Sequence, residues 1–293
     1  MLQMKFEEYL KEQGLKPDTI GQHQKYIRYF ICWLTDESLY LSQVTYTEIL
    51  DFADGLKGEN RSINQINRVL SSVKYYFAYL QKQKLAEHNP AAGISLKGTI
   101  RNIPHDLLNK EELEELYEKY GIKDDRTHRN KTILGLLIYQ GLKREELEKL
   151  RPENLKLREG KIQVPATGKS NGRILNLQPF QILDLQEYIL IIRPKLQGQS
   201  ERLFTGRNDL ENLKNSLVHL NHALKKINPK LKNALQIRQS VITEWLKEKD
   251  LRTVQYMAGH RYVSSTERYQ SSNLEDLKEA LNKHHPMKKN ERE

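Results

Sequence analysis

"LQIRQSVITEWLKEKDLRTVQYMAGHRYVSSTERY", residues 235–269, is the stretch that decides the fold of this chain. Its apolar spacing predicts an amphipathic helix from Leu235 to Lys247 and a second helix from Leu251 to Met257. A Gly-His pair follows at 259–260, and Tyr269 stands nine residues after that histidine. An arginine, a histidine or a tyrosine taken singly is more often structural than catalytic, so the function must be judged from the combination.

These side chains together suit chemistry on a phosphate. A phenol is a poor nucleophile at neutral pH because its pKa is about 10, and it becomes useful when cations stabilise the charge on the group that it attacks. Arg238, near the start of the first helix, can bind two phosphate oxygens with its planar guanidinium group. Upstream, "ATGKSNG" at 166–172 predicts a turn that places Lys169 at a hairpin tip, where its ammonium group can reach a bound strand.

The composition favours a polyanionic partner. The 293-residue chain has 48 Lys and Arg against 38 Asp and Glu, a net charge of +10, and its sequence pI is about 9.4. Most of the basic excess lies after residue 100, but the stretch from Arg61 to Ala86 contains five basic residues and no acid. Charge alone does not distinguish DNA from RNA or from a membrane surface.

Several classes of protein are excluded. Cys32 is the only cysteine, so no internal disulfide can form, which fits a reducing cytoplasm. Because no long apolar run or signal-type N-terminus is present, we predict a soluble cytoplasmic protein that has no membrane partner. No phosphate-binding loop of the ATPase type is present. His219 and His222 share a helix face but lack further ligands at a suitable spacing, so we predict no metal and no cofactor.

The first 90 residues predict a helical domain. Apolar periodicity indicates four helices, at about Met4 to Gln13, Asp18 to Leu34, Thr45 to Leu56 and Ser62 to Lys84. The last helix has an apolar face for the core and an opposite face that is basic and rich in amide and hydroxyl groups: Arg61, Asn64, Gln65, Arg68, Ser71, Ser72 and Tyr75. Such a face can read the major groove of DNA, although an ordinary solvated helix face gives the same pattern.

The stretch at 88–104 contains prolines and glycines and lacks sustained helical periodicity, so it predicts a linker at 91–106 between domains at 1–90 and 107–293. The second domain is expected to be mostly helical with a small antiparallel sheet. Its three predicted strands are Leu155 to Leu157, Lys161 to Val164 and Arg173 to Leu177. Besides those of the opening stretch, its predicted helices are at 109–120, 131–141, 179–192, 209–227 and 274–284.

The order of these segments resembles the tyrosine recombinase, or phage integrase, family. "SINQINRVLSSVKYYFAYL" at 62–80 looks like part of the family's SAM-like core-binding domain, and "YQGLKREELEKLRPENL" at 139–155 is similar to its Gly-Leu-Arg-x-x-Glu-Leu segment. "ATGKSNGRILNL" at 166–177 looks like the hairpin that carries the catalytic lysine. The stretch at 235–269 looks like the His-x-x-Arg helix followed by the Gly-His and tyrosine segments. The resemblance covers nearly the whole chain and rests on the joint order and spacing of these motifs.

The resemblance implies a reaction and roles for its residues. Tyr269 would attack a DNA phosphodiester and form a 3′-phosphotyrosyl link, releasing a 5′-hydroxyl without a metal or ATP. His260 would donate a hydrogen bond to the scissile phosphate, Arg238 would bind a non-bridging oxygen, and Lys169 would protonate the leaving 5′-oxygen. The implied partners are double-stranded recombination sites and further copies of the chain, assembled as a tetramer on DNA, with the helix at 274–284 packing on a neighbouring subunit.

Two positions depart from the family pattern. Lys143 stands where the first arginine falls, which keeps the charge but loses the two-pronged contact. The adjacent Arg144 can take that role only if its direction allows, because neighbouring residues of a helix point ~100° apart. Leu235 stands at the histidine of the His-x-x-Arg motif, and Gln239 follows Arg238 where another histidine is common. We therefore predict a catalytic role for Lys143 and DNA contacts by Arg144 and Gln239, in addition to Arg61, Asn64, Gln65 and Arg68.

Three functions remain open at this point. The preferred one is a site-specific recombinase or integrase. The second is a weakened or inactive DNA-binding paralogue that acts as an accessory subunit, because losing one preorganised donor typically costs ~2.7–4 kcal/mol of transition-state stabilisation. The third is a nicking and resealing enzyme like the type IB topoisomerases, which would relax supercoils as a monomer.

Overall fold

The computed structural model of the protein describes residues 2–98, 106–197, 200–205 and 213–270. The chain divides into two compact units, Met1–Arg101 and Asn102–Glu293. The helix predicted at 274–284 lies outside the described residues. No helix in the described ranges has the length and apolar character needed to cross a bilayer.

The first unit contains the four helices that the periodicity predicts. They are α1 (Leu2–Glu12), α2 (Pro17–Asp36), α3 (Tyr46–Gly58) and α4 (Ile63–Lys82), with a 3-10 turn at Leu41–Gln43. Local signals explain where they begin. The side chain of Ser62 accepts a hydrogen bond from the backbone of Gln65, whose side chain accepts one from the backbone of Ser62, so this capping box starts α4.

The predicted apolar face of α4 forms much of the core of the first unit. All six of its apolar residues are buried: Ile66, Val69, Leu70, Val73, Phe77 and Leu80. One prediction on the opposite face is wrong, because Ser72 is buried and its hydroxyl lies 2.7 Å from Nδ1 of His23 on α2. The helix packs against α2 on this side, so a residue that the periodicity assigns to solvent is covered by a neighbouring helix.

The first part of the predicted linker packs against the core of the first unit. Ala91 is buried in the core of the first unit, and Ile94 and Leu96 pack against that core. The side-chain amide of Asn67 holds the backbone of Leu96 with two hydrogen bonds, at 2.8 and 2.9 Å. Residues 91–98 therefore belong to the first unit, since an irregular segment can pack closely without leaving any periodic pattern in its sequence.

The second unit is mostly helical and contains a three-stranded antiparallel sheet, as predicted. Its elements are α5 (Lys110–Lys119), α6 (Asp125–Tyr139), α7 (Arg144–Leu147), β1 (Leu155–Lys156), β2 (Lys161–Val164), β3 (Arg173–Asn176), α8 (Pro179–Glu187), α9 (Arg193–Gln197), α10 (Leu213–Ile227), α11 (Ala234–Glu248) and α12 (Leu251–Ala258). A π-helical turn at Tyr188–Ile192 joins α8 to α9, and residues 264–270 are helical. The mainly helical fold class is confirmed.

The sheet places one arginine in the interior. The strand order is β1-β2-β3, and Val164 of β2 pairs with Arg173 of β3. Side chains alternate across a strand, so Arg173 points to the same core face as Leu175. The helix α6, which fills the centre of this unit, begins six residues earlier than predicted because Asp124 accepts a hydrogen bond from the backbone of Thr127 and caps it there.

Candidate active site

Arg238 is a buried cation in the second turn of α11. Its guanidinium group donates to the backbone oxygens of Gly141 and Ala258 and to Nε2 of His260, the last at 3.3 Å. Burial lowers the pKa of Arg238 to about 10; the nearby carboxylate of Glu146 opposes this shift. The side chain is therefore charged at neutral pH and is held in one orientation by backbone groups from two other segments.

His260 follows the end of α12 and is neutral at neutral pH. Its Nδ1 lies 2.9 Å from the hydroxyl of Thr266, and its Nε2 faces Arg238. Arginine can only donate, so Nε2 accepts and Nδ1 carries the proton, which it donates to Thr266. Burial first, and then the charges of Arg238 and Lys143, lower the pKa of His260 to about 3.

Tyr269 lies against this histidine. Their rings stack with centroids 6.0 Å apart and an interplanar angle of 11°. Tyr269 lies in the helical segment 264–270 and is only 3% exposed, because its ring packs with apolar residues of α11 and α12. Its hydroxyl accepts a hydrogen bond from Nη2 of Arg268 at 3.3 Å. The stretch at 235–269 thus brings its arginine, histidine and tyrosine together in space.

Lys143 adds a second cation to the same place. It immediately precedes α7, and its backbone N–H donates to Glu146 at 2.8 Å. Its side chain is partly buried, and burial, followed by the charge of Arg238, lowers the pKa of Lys143. Arg144 instead points outward and pairs with Glu148 at 3.4 Å. Of the two basic residues, it is Lys143 whose charge acts on Arg238 and His260.

A buried ion pair that the sequence analysis missed supports the cluster. Arg173 donates to both carboxylate oxygens of Glu146, at 2.7 and 3.1 Å, and to the backbone oxygen of Met257 at 2.6 Å. Burial by itself raises the pKa of Glu146, but the hydrogen bonds and charge of Arg173 hold it below its usual value. The alternation of β3 carries the signal that was overlooked, since it places Arg173 on the core face.

Gly259 allows the close approach of two segments. Its φ of +65° is left-handed, and a Cβ there would lie 2.5 Å from Nη1 of Arg173 and 3.0 Å from the backbone oxygen of Asn171. The backbone N–H of Asn171 donates to the oxygen of Gly259 at 3.0 Å, and Arg261 donates to the oxygen of Thr167 at 3.2 Å. These bonds attach the hairpin that contains Lys169 to the segment that contains His260.

Lys169 stands apart from the other four predicted catalytic residues. It lies in the hairpin turn between Thr167 and Ser170, and its side chain is 79% exposed. Its ammonium group pairs with Glu145 at 3.7 Å. Within the described part of the chain, no hydrogen bond or ion pair joins Lys169 to Lys143, Arg238, His260 or Tyr269.

The two positions around Arg238 that differ from the motif face the outside. Leu235, in the first turn of α11, is 60% exposed. Gln239 is partly exposed on the same helix. Neither side chain contributes to the buried cluster.

The DNA-binding residues predicted on and next to α4 differ in how many contacts they already make within the protein. Asn64 and Arg68 are exposed, and neither side chain has a hydrogen bond or ion pair to another described residue. The side-chain oxygen of Gln65 is used in the helix cap. Arg61, just before α4, pairs with Glu59 at 2.7 Å and lies over the ring of Tyr29, 4.7 Å from its centroid.

The described residues contain no group of three or more His, Cys, Asp or Glu side chains that could hold a metal ion. The charged groups gathered around His260 are cations instead, and Glu146 is already bound to Arg173. Chemically, the cluster suits an anion: two cations and a neutral histidine lie beside a sheltered phenol.

Comparison with known protein families and curated relatives agrees with this chemistry. The model of the phage integrase family matches residues 106–276, and that of the phage integrase N-terminal SAM-like domain matches residues 4–84. The chain is 26% identical to tyrosine recombinase XerC of Oceanobacillus iheyensis, over 96% of this chain and 94% of the relative. It is 27% identical to tyrosine recombinase XerD of Proteus mirabilis, over 94% and 89%.

Solved structures share the fold at lower identity. XerH site-specific recombinase bound to its difH substrate, in a pre-cleavage complex, superposes with a TM-score of 0.73 at 20% identity, covering 94% of this chain and 83% of that one. A lambda integrase tetramer bound to a Holliday junction superposes with a TM-score of 0.65 at 14% identity, covering 92% and 76%.

Proposed function

Because this chain belongs to the phage integrase family, and at that level is a site-specific tyrosine recombinase that breaks and rejoins DNA, we propose that Tyr269 is its nucleophile. One observation carries this assignment. The ring of Tyr269 stacks on His260, whose Nε2 accepts a hydrogen bond from the buried Arg238. The phenol therefore lies beside a fixed positive charge, where a phosphate would bind.

In the proposed cleavage step, the phenolic oxygen of Tyr269 forms a bond to phosphorus and the bond from phosphorus to the 5′-oxygen breaks. The phenolic proton passes to water. Lys169 gives a proton to the 5′-oxygen, which leaves as a hydroxyl group, and the 3′-phosphate stays on the tyrosine. The reverse sequence rejoins a strand, and no external energy source is required because one phosphodiester bond replaces another.

Arg238 and Lys143 stabilise the charge on the non-bridging oxygens. Arg238 is well suited because backbone oxygens already fix its plane, so little reorganisation is needed when the phosphate arrives. His260 assists in the same place. Burial first, and then the neighbouring positive charges, depress the pKa of His260; an incoming phosphate offsets the charges, so that the imidazole can share a proton with the phosphate.

Lys169 reaches the leaving oxygen from its exposed hairpin tip. Its pairing with Glu145 at 3.7 Å is a solvent-exposed contact, and exposed ion pairs contribute little free energy. A DNA strand can therefore take the place of Glu145. The anchoring of the hairpin through Asn171 and Arg261 keeps the tip close to the nucleophile segment while its lysine moves.

The DNA partner is proposed to be a pair of double-stranded recombination sites. Arg68, Asn64, Gln65 and Arg61 of the first unit, and Arg144 and Gln239 of the second, supply contacts to the duplex. Among the similar structures, lambda integrase is a tetramer on a Holliday junction and XerH is bound to difH DNA. We infer that this chain assembles as a homotetramer on DNA and acts in the cytoplasm.

A nicked suicide substrate tests the function directly. The native protein should form a covalent adduct with the DNA that survives denaturation. Tyr269→Phe should remove the adduct and keep DNA binding, whereas Tyr262→Phe, the control at an exposed tyrosine, should keep both. An adduct in the Tyr269→Phe variant would show that another residue is the nucleophile.

The adduct assay and a relaxation assay on supercoiled DNA together separate the alternatives. DNA binding without any adduct from the native protein would favour an accessory paralogue. Relaxation of supercoiled DNA by a monomer, without strand exchange, would favour an enzyme of the topoisomerase type.

A further inference from the structure

Arg268 is a charged residue in direct contact with the proposed nucleophile. Its Nη2 donates to the hydroxyl of Tyr269 at 3.3 Å, and its guanidinium carbon lies 5.2 Å from the centroid of the tyrosine ring. Side chains at adjacent helix positions do not normally face each other. Here the guanidinium group folds back over the next residue, so the contact is a specific feature of this site.

The other contacts of Arg268 do not account for its position. Its Nε is buried and has no hydrogen-bond acceptor among the described residues. No carboxylate in the described ranges lies within ion-pair distance of it. A buried donor without an acceptor is costly, and an unpaired cation more so. The structure therefore keeps both a free donor and an uncompensated positive charge next to the hydroxyl of Tyr269.

We propose that Arg268 is a further catalytic residue, which stabilises the negative charge on the phenolic oxygen during cleavage and again during rejoining. This proposal rests on the assignment of Tyr269 as the nucleophile. As the phenolic oxygen attacks, its proton passes to water and Arg268 donates to the oxygen without losing a proton of its own. In the reverse step the bond from phosphorus to the phenolic oxygen breaks, and the same donor stabilises the departing phenolate.

The contribution of Arg268 differs from those of the other cations. Arg238 and Lys143 act on the phosphate, and Lys169 acts on the leaving 5′-oxygen, whereas Arg268 acts on the attacking oxygen. This chain has a lysine where the family pattern has its first arginine, so a guanidinium group at the nucleophile supplies a donor to the site from a different side.

The test compares two DNA substrates. One is the ordinary nicked substrate, and the other carries sulfur in place of the 5′-bridging oxygen at the scissile phosphate. A thiolate leaves without protonation, so the sulfur substrate should restore cleavage by Lys169→Ala. Arg268→Ala should lower the rate of adduct formation by about 10²-fold, the usual effect of removing one preorganised donor. That loss should remain on the sulfur substrate, because the defect lies in the attack.

Further variants separate a catalytic from a merely structural role. Millimolar methylguanidinium should partly restore adduct formation by Arg268→Ala, and Arg268→Lys should retain more activity than Arg268→Gln. Arg252→Ala, which removes an exposed arginine of α12, is the matched control for loss of one positive charge and should cleave normally. Affinity for DNA should be the same in all these variants.

Three results would overturn the proposal: native cleavage rates in Arg268→Ala and Arg268→Gln, restoration of Arg268→Ala by the sulfur substrate, or a defect explained by weaker DNA binding. Should Arg268→Ala fold poorly, the comparison of Arg268→Lys with Arg268→Gln still decides. Only the lysine variant keeps a positive charge near the phenolic oxygen, whereas a merely structural role would leave the two variants alike. An adduct that persists in Tyr269→Phe is a separate outcome, which refutes the nucleophile assignment itself.

Discussion

The guanidinium group of Arg173 binds both carboxylate oxygens of Glu146, and both side chains are completely shielded from solvent. The pair connects three segments of the second unit. Glu146 also accepts from the backbone of Lys143, and Arg173 reaches the backbone of Met257, just before the segment of His260. It therefore holds together the segments that contain Lys143 and His260.

Breaking this pair should lower the free energy of unfolding of the second unit. Glu146→Gln leaves the charge of Arg173 buried without a counter-charge, which typically costs about 3–5 kcal/mol of the free energy of unfolding. Trp245 lies in this unit and Trp33 in the other, so urea unfolding followed by fluorescence in a Trp33→Phe background reports on the second unit. Glu115→Gln, at an exposed pair with Lys119, is the control and should change little. Equal stability of both variants would refute the structural role of the pair.

The cation that replaces the first arginine of the family pattern should be Lys143. Lys143→Ala should reduce cleavage strongly, and Lys143→Arg should raise it above the native rate, by up to ~10²- to 10³-fold if the two-pronged contact is fully regained. Arg144→Ala should affect DNA affinity more than the rate of cleavage, because Arg144 points outward and pairs with Glu148. Single-turnover cleavage of one nicked substrate by the three variants measures this. A larger rate defect in Arg144→Ala than in Lys143→Ala would reverse the assignment.

Leu235→His should be accepted by the fold. The leucine is exposed in the first turn of α11, so the substitution should alter the free energy of unfolding by no more than about 0.5 kcal/mol. The imidazole adds a donor three residues before Arg238, and we expect faster cleavage. Leu235→Ala is the matched control, because it removes the leucine without adding a donor. If the two variants cleave at the same rate, the donor at this position is not used.

The buried imidazole of His260 should make stability depend on pH. The folded protein holds the pKa of His260 at about 3, below the ordinary value of 6.5, so only the unfolded chain takes up a proton between these values. The contribution of this residue is therefore fully present above pH ~6.5 and declines as the pH falls towards 3, by up to ~1.4 kcal/mol per pH unit. Unfolding free energies of the native protein and His260→Gln should converge as the pH falls from 7 to 4. Parallel curves would contradict the buried, neutral histidine.

DNA affinity should fall steeply with salt and should depend on Arg68 more than on Arg61. Contacts to phosphates release counterions, so the logarithm of the binding constant falls linearly with the logarithm of the salt concentration. Arg68→Gln removes an exposed charge that has no ion pair among the described residues, and it should reduce the slope of this salt dependence by about one. Arg61→Gln is the comparison, and its effect should be smaller because Arg61 already pairs with Glu59 and lies over Tyr29. An affinity that does not change with salt concentration would show that contacts to DNA phosphates do not drive binding.

The sequence by itself determined the helical elements and the family pattern. Six of the nine buried residues of α4 were predicted as its core face, because a helix repeats every 3.6 residues and much of its buried side is visible in the spacing alone. Arg238, His260 and Tyr269 were also proposed as catalytic residues from the sequence, since all three lie within the single stretch at 235–269. Both kinds of information are local in the chain.

Only the tertiary structure decided which distant groups meet. The choice between Lys143 and Arg144 depends on where α7 begins, because that decides which of the two side chains points into the site. The burial of Ser72 depends on the packing of α2 against α4. The pairing of Glu146 with Arg173 joins residues 27 positions apart. Such contacts depend on how elements pack in three dimensions, and neither periodicity nor motif spacing contains that information.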